Sequence, residues 1–201
     1  VRLEDRITSV SQAGLSFTTR LGLTVAPTAS SRVEYKPTPP IGDQLTPAEF
    51  IGLLAANDYV ESRGFMNGSS VEWTRVTREN RNQQECRLRG PVDAGSINDP
   101  SFSILGVAVN TTGLSNSDFE DETGASIGRA QFFSRLQAGD VIEAKSDDLG
   151  TGCRSASLST GTDGEVSFED DDDAPAGGGG GGGAGAADEI AGTVRNLNAA
   201  A

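Results

Sequence analysis

Cys86 and Cys153 are the only two cysteines in a chain of 201 residues, and their thiols carry its most definite chemistry. Two thiolates cannot complete a four-ligand zinc site, and the chain has no histidine to help them. The same lack of histidine removes every Ser-His-Asp or Cys-His nucleophile and every imidazole metal ligand. Carboxylates do stand side by side, at Glu120-Asp121-Glu122 and Asp147-Asp148. Glycoside cleavage needs two carboxylates in a shared cleft with one pKa raised by burial, whereas these sit among polar, turn-forming residues and read as solvated. The run Glu169 to Asp173 offers oxygens to a hard cation. Calcium loops space their ligands around a turn, so the packed run reads as a spacer. Seven consecutive glycines, Gly177 to Gly183, lack the Gly-Lys-Ser/Thr ending of a phosphate loop. The expectation is a protein without a catalytic constellation, metal or cofactor.

Two acceptor motifs for N-linked sugar occur, at Asn67-Gly68-Ser69 and Asn110-Thr111-Thr112, both at expected turns. Thr38, within Lys36-Pro37-Thr38-Pro39-Pro40, has the setting of an O-linked acceptor. Each has a plainer reading: chance sequons, and a stiff polyproline loop.

Net charge is −13, and residues 161–201 hold nine acidic side chains against one basic. An acidic chain with only 5% aromatics lacks the basic, stacking surface that nucleic-acid binding uses. No apolar run approaches the roughly 18 residues that span a bilayer. A binding or structural protein remains.

The elements that must position these residues repeat. Val1-Arg2-Leu3-Glu4-Asp5 aligns with Cys86-Arg87-Leu88-Arg89-Gly90, and Ser16-Phe17 with Ser101-Phe102. Leu21 to Val25 aligns with Leu105 to Val109, Ala48 to Ile51 with Ala130 to Phe133, and Asn57 to Glu61 with Gly139 to Glu143. Within the first copy, Leu3 and Ile7 alternate with Arg2, Glu4 and Arg6 as in a strand with one apolar face. Leu21 to Val25 and Arg32 to Tyr35 are β-prone runs broken by prolines. Thr46-Pro47-Ala48-Glu49 starts a helix with a reciprocal cap, and Phe50, Leu53 and Leu54 fall on one of its faces. Tyr59 to Phe65 and Val71 to Val76 close the copy as a hairpin turning at Asn67-Gly68. Three strands, a short helix and two strands is the order of an OB-like small barrel. The fold class is all-β with one short helix per module: two tandem small OB-like β-barrels, 1–85 and 86–160. An acidic, Gly-rich linker, 161–188, and an extended tail, 189–201, follow.

The opening Val1 to Ile7, the Leu-Gly-(Leu/Val)-x-Val strand and the block Ala138 to Ala144 resemble the bacterial domain-of-unknown-function family 5666, as two copies over residues 1–160. That family has no assigned activity and carries over no catalytic residue. It is typical of exported and envelope-attached proteins, which implies an extracellular or cell-surface location. Val1 reads as a processed or truncated start.

In a closed barrel the first and last strands are neighbours, so Cys86 and Cys153 can meet there as a disulfide. Closing a loop of about 68 residues contributes roughly 3–4 kcal/mol in the chain-entropy model. Two buried free thiols in a reducing compartment is the alternative. After the glycine run, Glu189 to Asn196 resembles a third opening strand, with Ile190, Gly192 and Val194 matching Leu3, Asp5 and Ile7, and Leu197 beyond. A lone strand cannot satisfy its own backbone and needs a sheet edge. The expected function is an exported structural protein, a subunit of an extracellular filament or surface assembly built head to tail by strand addition. Its partners are copies of itself and attached glycans. The alternatives for the tail are a frayed end or a truncated third module. For the chain, the alternative is a glycan- or polymer-binding envelope module.

Overall fold

A computed structural model describes residues 1–37, 45–80, 85–146, 152–154 and 157–169. The chain divides into two units, Val1–Asp171 and Asp172–Ala201, and all the described residues belong to the first. The strands of the first half are β1 (Arg2–Ser11), β2 (Ser16–Thr19), β3 (Thr24–Val25), β4 (Arg32–Tyr35), β5 (Tyr59–Asn67) and β6 (Ser70–Arg78), with helix α1 (Pro47–Leu53) between β4 and β5. The second half has β7 (Cys86–Pro91), β8 (Ser101–Ile104), β9 (Val107–Asn110) and β10 (Phe119–Glu120), then α2 (Arg129–Arg135). It ends with β11 (Val141–Ser146), β12 (Cys153–Arg154), β13 (Ser157–Ser159) and β14 (Glu165–Phe168). The chain is mostly β with two short helices, as the sequence implied.

The pairing is symmetric about the centre of the large sheet. The large sheet runs β10-β14-β11-β7-β1-β5-β6-β4, which reads the same from either end when each strand is replaced by its counterpart. At its centre β1 and β7, the two opening strands, pair antiparallel with Leu3 opposite Leu88. Both terminal pairs, β4 with β6 and β10 with β14, are parallel. Cross-strand registry carries one apolar row through all eight strands: Phe119, Val166, Ala144, Leu88, Leu3, Ser62, Val76 and Val33. Every member of that row is at most 1% exposed. Phe17 and Phe102, and Phe50 and Phe132, are likewise buried in equivalent elements. The halves therefore share one sheet and one core cluster.

Two closed barrels are not found. In the first half the path stops at β3, which pairs only β2, while β4 resumes six residues later on the far side of β6. Pro27 and a turn in which Thr28 N donates to Ser31 Oγ (2.8 Å) break what would be one strand. In the second half β8 leaves β7, bridged only at Val92–Ile104 just past the end of β7, and joins a separate sheet β12-β13-β9-β8. β14 lies within the segment 161–188 that the sequence suggested as linker.

Local chemistry explains the helices. Thr46 and Glu49 form the reciprocal cap of α1, with Thr46 N donating to Glu49 Oε2 at 2.8 Å and Glu49 N to Thr46 Oγ1 at 3.3 Å. The buried face differs from the expected one. The seven-residue helix ends at Leu53, so Phe50, Ile51 and the cap residue Leu54 point inward while Leu53 is 39% exposed.

Candidate functional site

Cys86 and Cys153 form a disulfide, both buried, with Cα atoms 6.1 Å apart. The bond was expected between neighbouring strands of one barrel. It instead joins β7 of the large sheet to β12 of the small one, tying together the two sheets into which the second half is split.

The buried ionisable groups are held by structure. Asp5 is fully buried, and its carboxylate accepts from Arg20 Nε (2.8 Å), Leu21 N (2.8 Å) and Arg6 N (2.7 Å). Burial raises its pKa although the Arg20 charge opposes the rise. With three partners and no exposure it has no access to a substrate. Its counterpart in the repeat is Gly90, and that mismatch at a core position was the signal the sequence offered. The Tyr59 hydroxyl donates to Glu4 Oε2 at 3.2 Å, and burial together with the Glu4 charge pushes its pKa far above 10, so it stays protonated.

The face of the large sheet opposite its core carries a charge ladder. One row holds Arg89, Arg2, Arg63, Arg75 and Arg32 on five adjacent strands, and the next holds Arg87, Glu4, Glu61, Thr77 and Glu34. Ion pairs link the rows: Arg2 with Glu4 and Glu61, Arg63 with Glu61 at 2.7 Å, Arg75 and Arg32 with Glu34 at 2.8 Å. Arg87 pairs Glu143 at 3.2 Å and Arg89 pairs Glu169 at 3.3 Å. Each pair sets an arginine against a glutamate that is largely covered by the sheet, and every one of the six arginines has a carboxylate partner, so the face has no cation left over for an outside anion. It is a structural seam rather than an anion site.

A cleft of about 660 Å³ lies where the halves meet. Leu23 and Thr24 form one wall, Met66, Ser69, Ser70, Val71 and Trp73 of the β5–β6 hairpin another, and Asp93, Leu105 and Gly106 the third. Leu105 is held at φ 54°, in the left-handed region that non-glycine residues rarely occupy, next to Gly106 at φ 76°. The Gly106 amide donates to Asp93 Oδ2 at 2.7 Å and fixes that corner.

One wall is a strand edge. Thr19 N donates to Leu23 O at 3.0 Å, so Thr19 and Leu23 are a bonded pair and the next pair, Thr18 and Thr24, is not. In an antiparallel ladder this turns the Thr24 N–H and C=O away from β2, into the open edge. Among the described residues no strand pairs that edge. The counterpart β9 is bonded on both sides, by β8 and by β13, which runs parallel with Ser157 opposite Ala108 and Leu158 opposite Val109. The sequence could not announce this difference, because it depends on where each half opens.

Asn67 and Asn110 are exposed at the ends of β5 and β9. Asn110 Oδ1 accepts from Thr112 N at 3.0 Å and from Thr112 Oγ1, closing a small turn. Glu120 ends strand β10, and Asp121 and Glu122 open the polar turn after it, with Asp121 bound to Thr123 and Ala125 and Glu122 to Arg135. Thr38, the Asp147-Asp148 pair and the tail residues Ile190, Gly192, Val194 and Leu197 lie outside the described residues. Among the described residues no cluster of three or more His, Cys, Asp or Glu is arranged to hold a metal, and no helix is long and apolar enough to cross a membrane.

Residues 89–157 match a domain of unknown function, DUF5666. The match covers one copy, from within β7 to the start of β13, where the resemblance read from sequence implied two. No curated protein and no solved structure matches the chain.

Proposed function

We propose that the chain is an exported, non-catalytic structural subunit whose two opened OB-like modules assemble by strand addition, with the C-terminal segment of one copy pairing with a sheet edge of the next. Open edges carry the reading. A closed barrel hides its backbone, whereas each half here leaves its path unclosed, and an unpaired edge is a template for a strand from another chain. Head-to-tail addition of this sort is a heterologous contact, which produces filaments when it does not close. The Cys86–Cys153 disulfide supports an oxidising, hence extracellular or cell-surface, location. The exposed Asn67 and Asn110 suit attached sugar. The first half is taken as a further copy of the module matched in the second, because its strand order and core positions correspond. A glycan-binding reading gains less support, since Trp73 is 5% exposed and presents no free ring face for stacking.

Negative-stain microscopy and sedimentation of the purified chain test the proposal. Filaments or ladders are expected from the full chain, and deletion of 186–201 should abolish them while circular dichroism stays unchanged. Discrete particles of 20.8 kDa from the full chain, or normal polymers from the truncated one, would sink it.

A further inference from the structure

We infer that the acceptor is the cleft beside β3, and that its occupant is residues 189–197 of a second copy. This rests on the strand-addition reading above and narrows it to one edge.

Three observations converge. First, the repeat supplies its own template: β9 carries a parallel strand on the edge that β3 leaves open, so the module's geometry accommodates a strand at that position. Second, the open edge is not bare. It faces Val71, Met66 and Leu105, partly exposed apolar side chains against which an incoming strand can bury one face, with the nearly buried Trp73 also lining the cleft and Thr24, Ser69 and Ser70 at the rim. Third, the chain contains a matching segment. Ile190, Gly192 and Val194 alternate with Ala191, Thr193 and Arg195, a spacing that in a strand gives one face of two apolar side chains around a glycine. Residues 170–188 separate that segment from the end of the described fold. Extended, 19 residues reach at most about 65 Å, enough to span to a neighbouring subunit. The pairing needs no chemistry beyond backbone hydrogen bonds: the Thr24 N–H donates to, and its C=O accepts from, the incoming strand, while pocketed side chains set the register.

Amide hydrogen exchange reads that edge directly. The full-length chain carrying Ile190→Asp and Val194→Asp, which disable its own donor, is mixed with a synthetic peptide of residues 186–201. The Thr24 amide is expected to exchange at least about tenfold more slowly with peptide, because an edge N–H becomes a ladder N–H. Ser70→Arg, at an exposed position on the rim, should weaken the peptide effect without altering the melting temperature. Thr24→Pro, which removes the donor, should abolish binding of the same peptide carrying a fluorescent label, read by anisotropy. Protection at β4 or β10 instead of Thr24 would overturn the assignment while leaving strand addition intact. The same holds if no edge is protected yet deletion of 186–201 abolishes polymers. If no edge is protected and the deleted chain still polymerises, the broader reading falls with it. Thr24 protection already complete in dilute, unsubstituted chain would overturn the second-copy occupant in favour of the chain's own tail.

Discussion

Reduction of the Cys86–Cys153 bond should remove a large part of the protein's stability. The bond joins residues 67 positions apart, so reducing it frees a loop of nearly the whole second half. In the chain-entropy model a loop of that length restricts the unfolded state by about 15 cal/mol/K, or about 4 kcal/mol at 25 °C. Domains of this size hold about 5–15 kcal/mol in total, so the loss is between a quarter and most of it. Cys86 and Cys153 are buried, so the reductant must be added in denaturant and the folded, reduced chain recovered by dilution. Urea unfolding with and without reductant, followed by circular dichroism, measures the difference. Free energies extrapolated to water should be compared, because reduction expands the unfolded chain and raises the slope as well as moving the midpoint. A loss below about 1 kcal/mol would refute the reasoning, since it would mean that the unfolded, oxidised chain gains nothing from the constraint.

Ser62 sits in the apolar row with its hydroxyl buried and unbonded, while its counterpart is Ala144. Ser62→Ala should therefore stabilise the protein by about 1 kcal/mol in chemical denaturation, and destabilisation would show a partner for that hydroxyl. Leu3→Ala and Leu88→Ala should each cost about 2–5 kcal/mol. Because the two side chains face one another across the central pair, the double variant should depart from additivity by at least about 0.5 kcal/mol, and strict additivity would argue against their contact. Glu34 is partly desolvated, yet the Arg75 hydrogen bond and charge hold its pKa below the ordinary 4.5, and Glu61 is lowered in the same way by Arg63 and Arg2. Their contribution is complete above pH 4.5 and drains as the pH falls through the lowered values. The raised Asp5 and Glu143 act with the opposite sign, favouring the fold at low pH and losing that contribution as pH rises through their raised values. Arg75→Gln should thus flatten the fall in melting temperature between about pH 5 and pH 3. An unchanged slope would remove Glu34 from the acid response.

Much of the architecture was legible because local and periodic signals agreed. The cap at Thr46 and Glu49, the hairpin at Gly68 and the alternation of Leu3 with Arg2 each follow from one residue's conformational preference or one face's burial. The first and last aligned blocks fall on strands in mirrored places of the large sheet, while the family match covers the second set alone. Closure was not legible. Whether β3 continues into β4 is decided by Pro27 and by Ser31, whose hydroxyl bonds to the Trp73 carbonyl 42 residues away, and no local pattern encodes that contact. Glu165 to Phe168 read as linker because its neighbours are acidic and Gly-rich, and only pairing with β11 and β10 makes it a strand. Alternation put Asp5 on the same strand face as Leu3 and Ile7, but only the fold supplies the Arg20 and Leu21 donors that let a carboxylate sit there. At the cleft, Trp73 and Thr24 carried no motif, since the site consists of an edge left open rather than of reactive groups.

The central pairing of β1 with β7 has an electrostatic consequence. Leu3 and Leu88 face each other, which is the geometry two identical strands adopt around a two-fold axis. The charges on the two sides of the seam differ. Two first halves in this register would place Arg2 opposite Glu4 twice over, a self-complementary arrangement. Two second halves would place Arg87 opposite Arg89 twice over, a like-charge clash that disfavours pairing. In the fused seam Glu4 faces Arg87, while Arg2 faces Arg89 and each of those arginines has a carboxylate elsewhere, Glu61 and Glu169. Charge thus excludes a pair of second halves but favours a pair of first halves over the seam that forms, so it is the covalent linkage that holds the two different strands together.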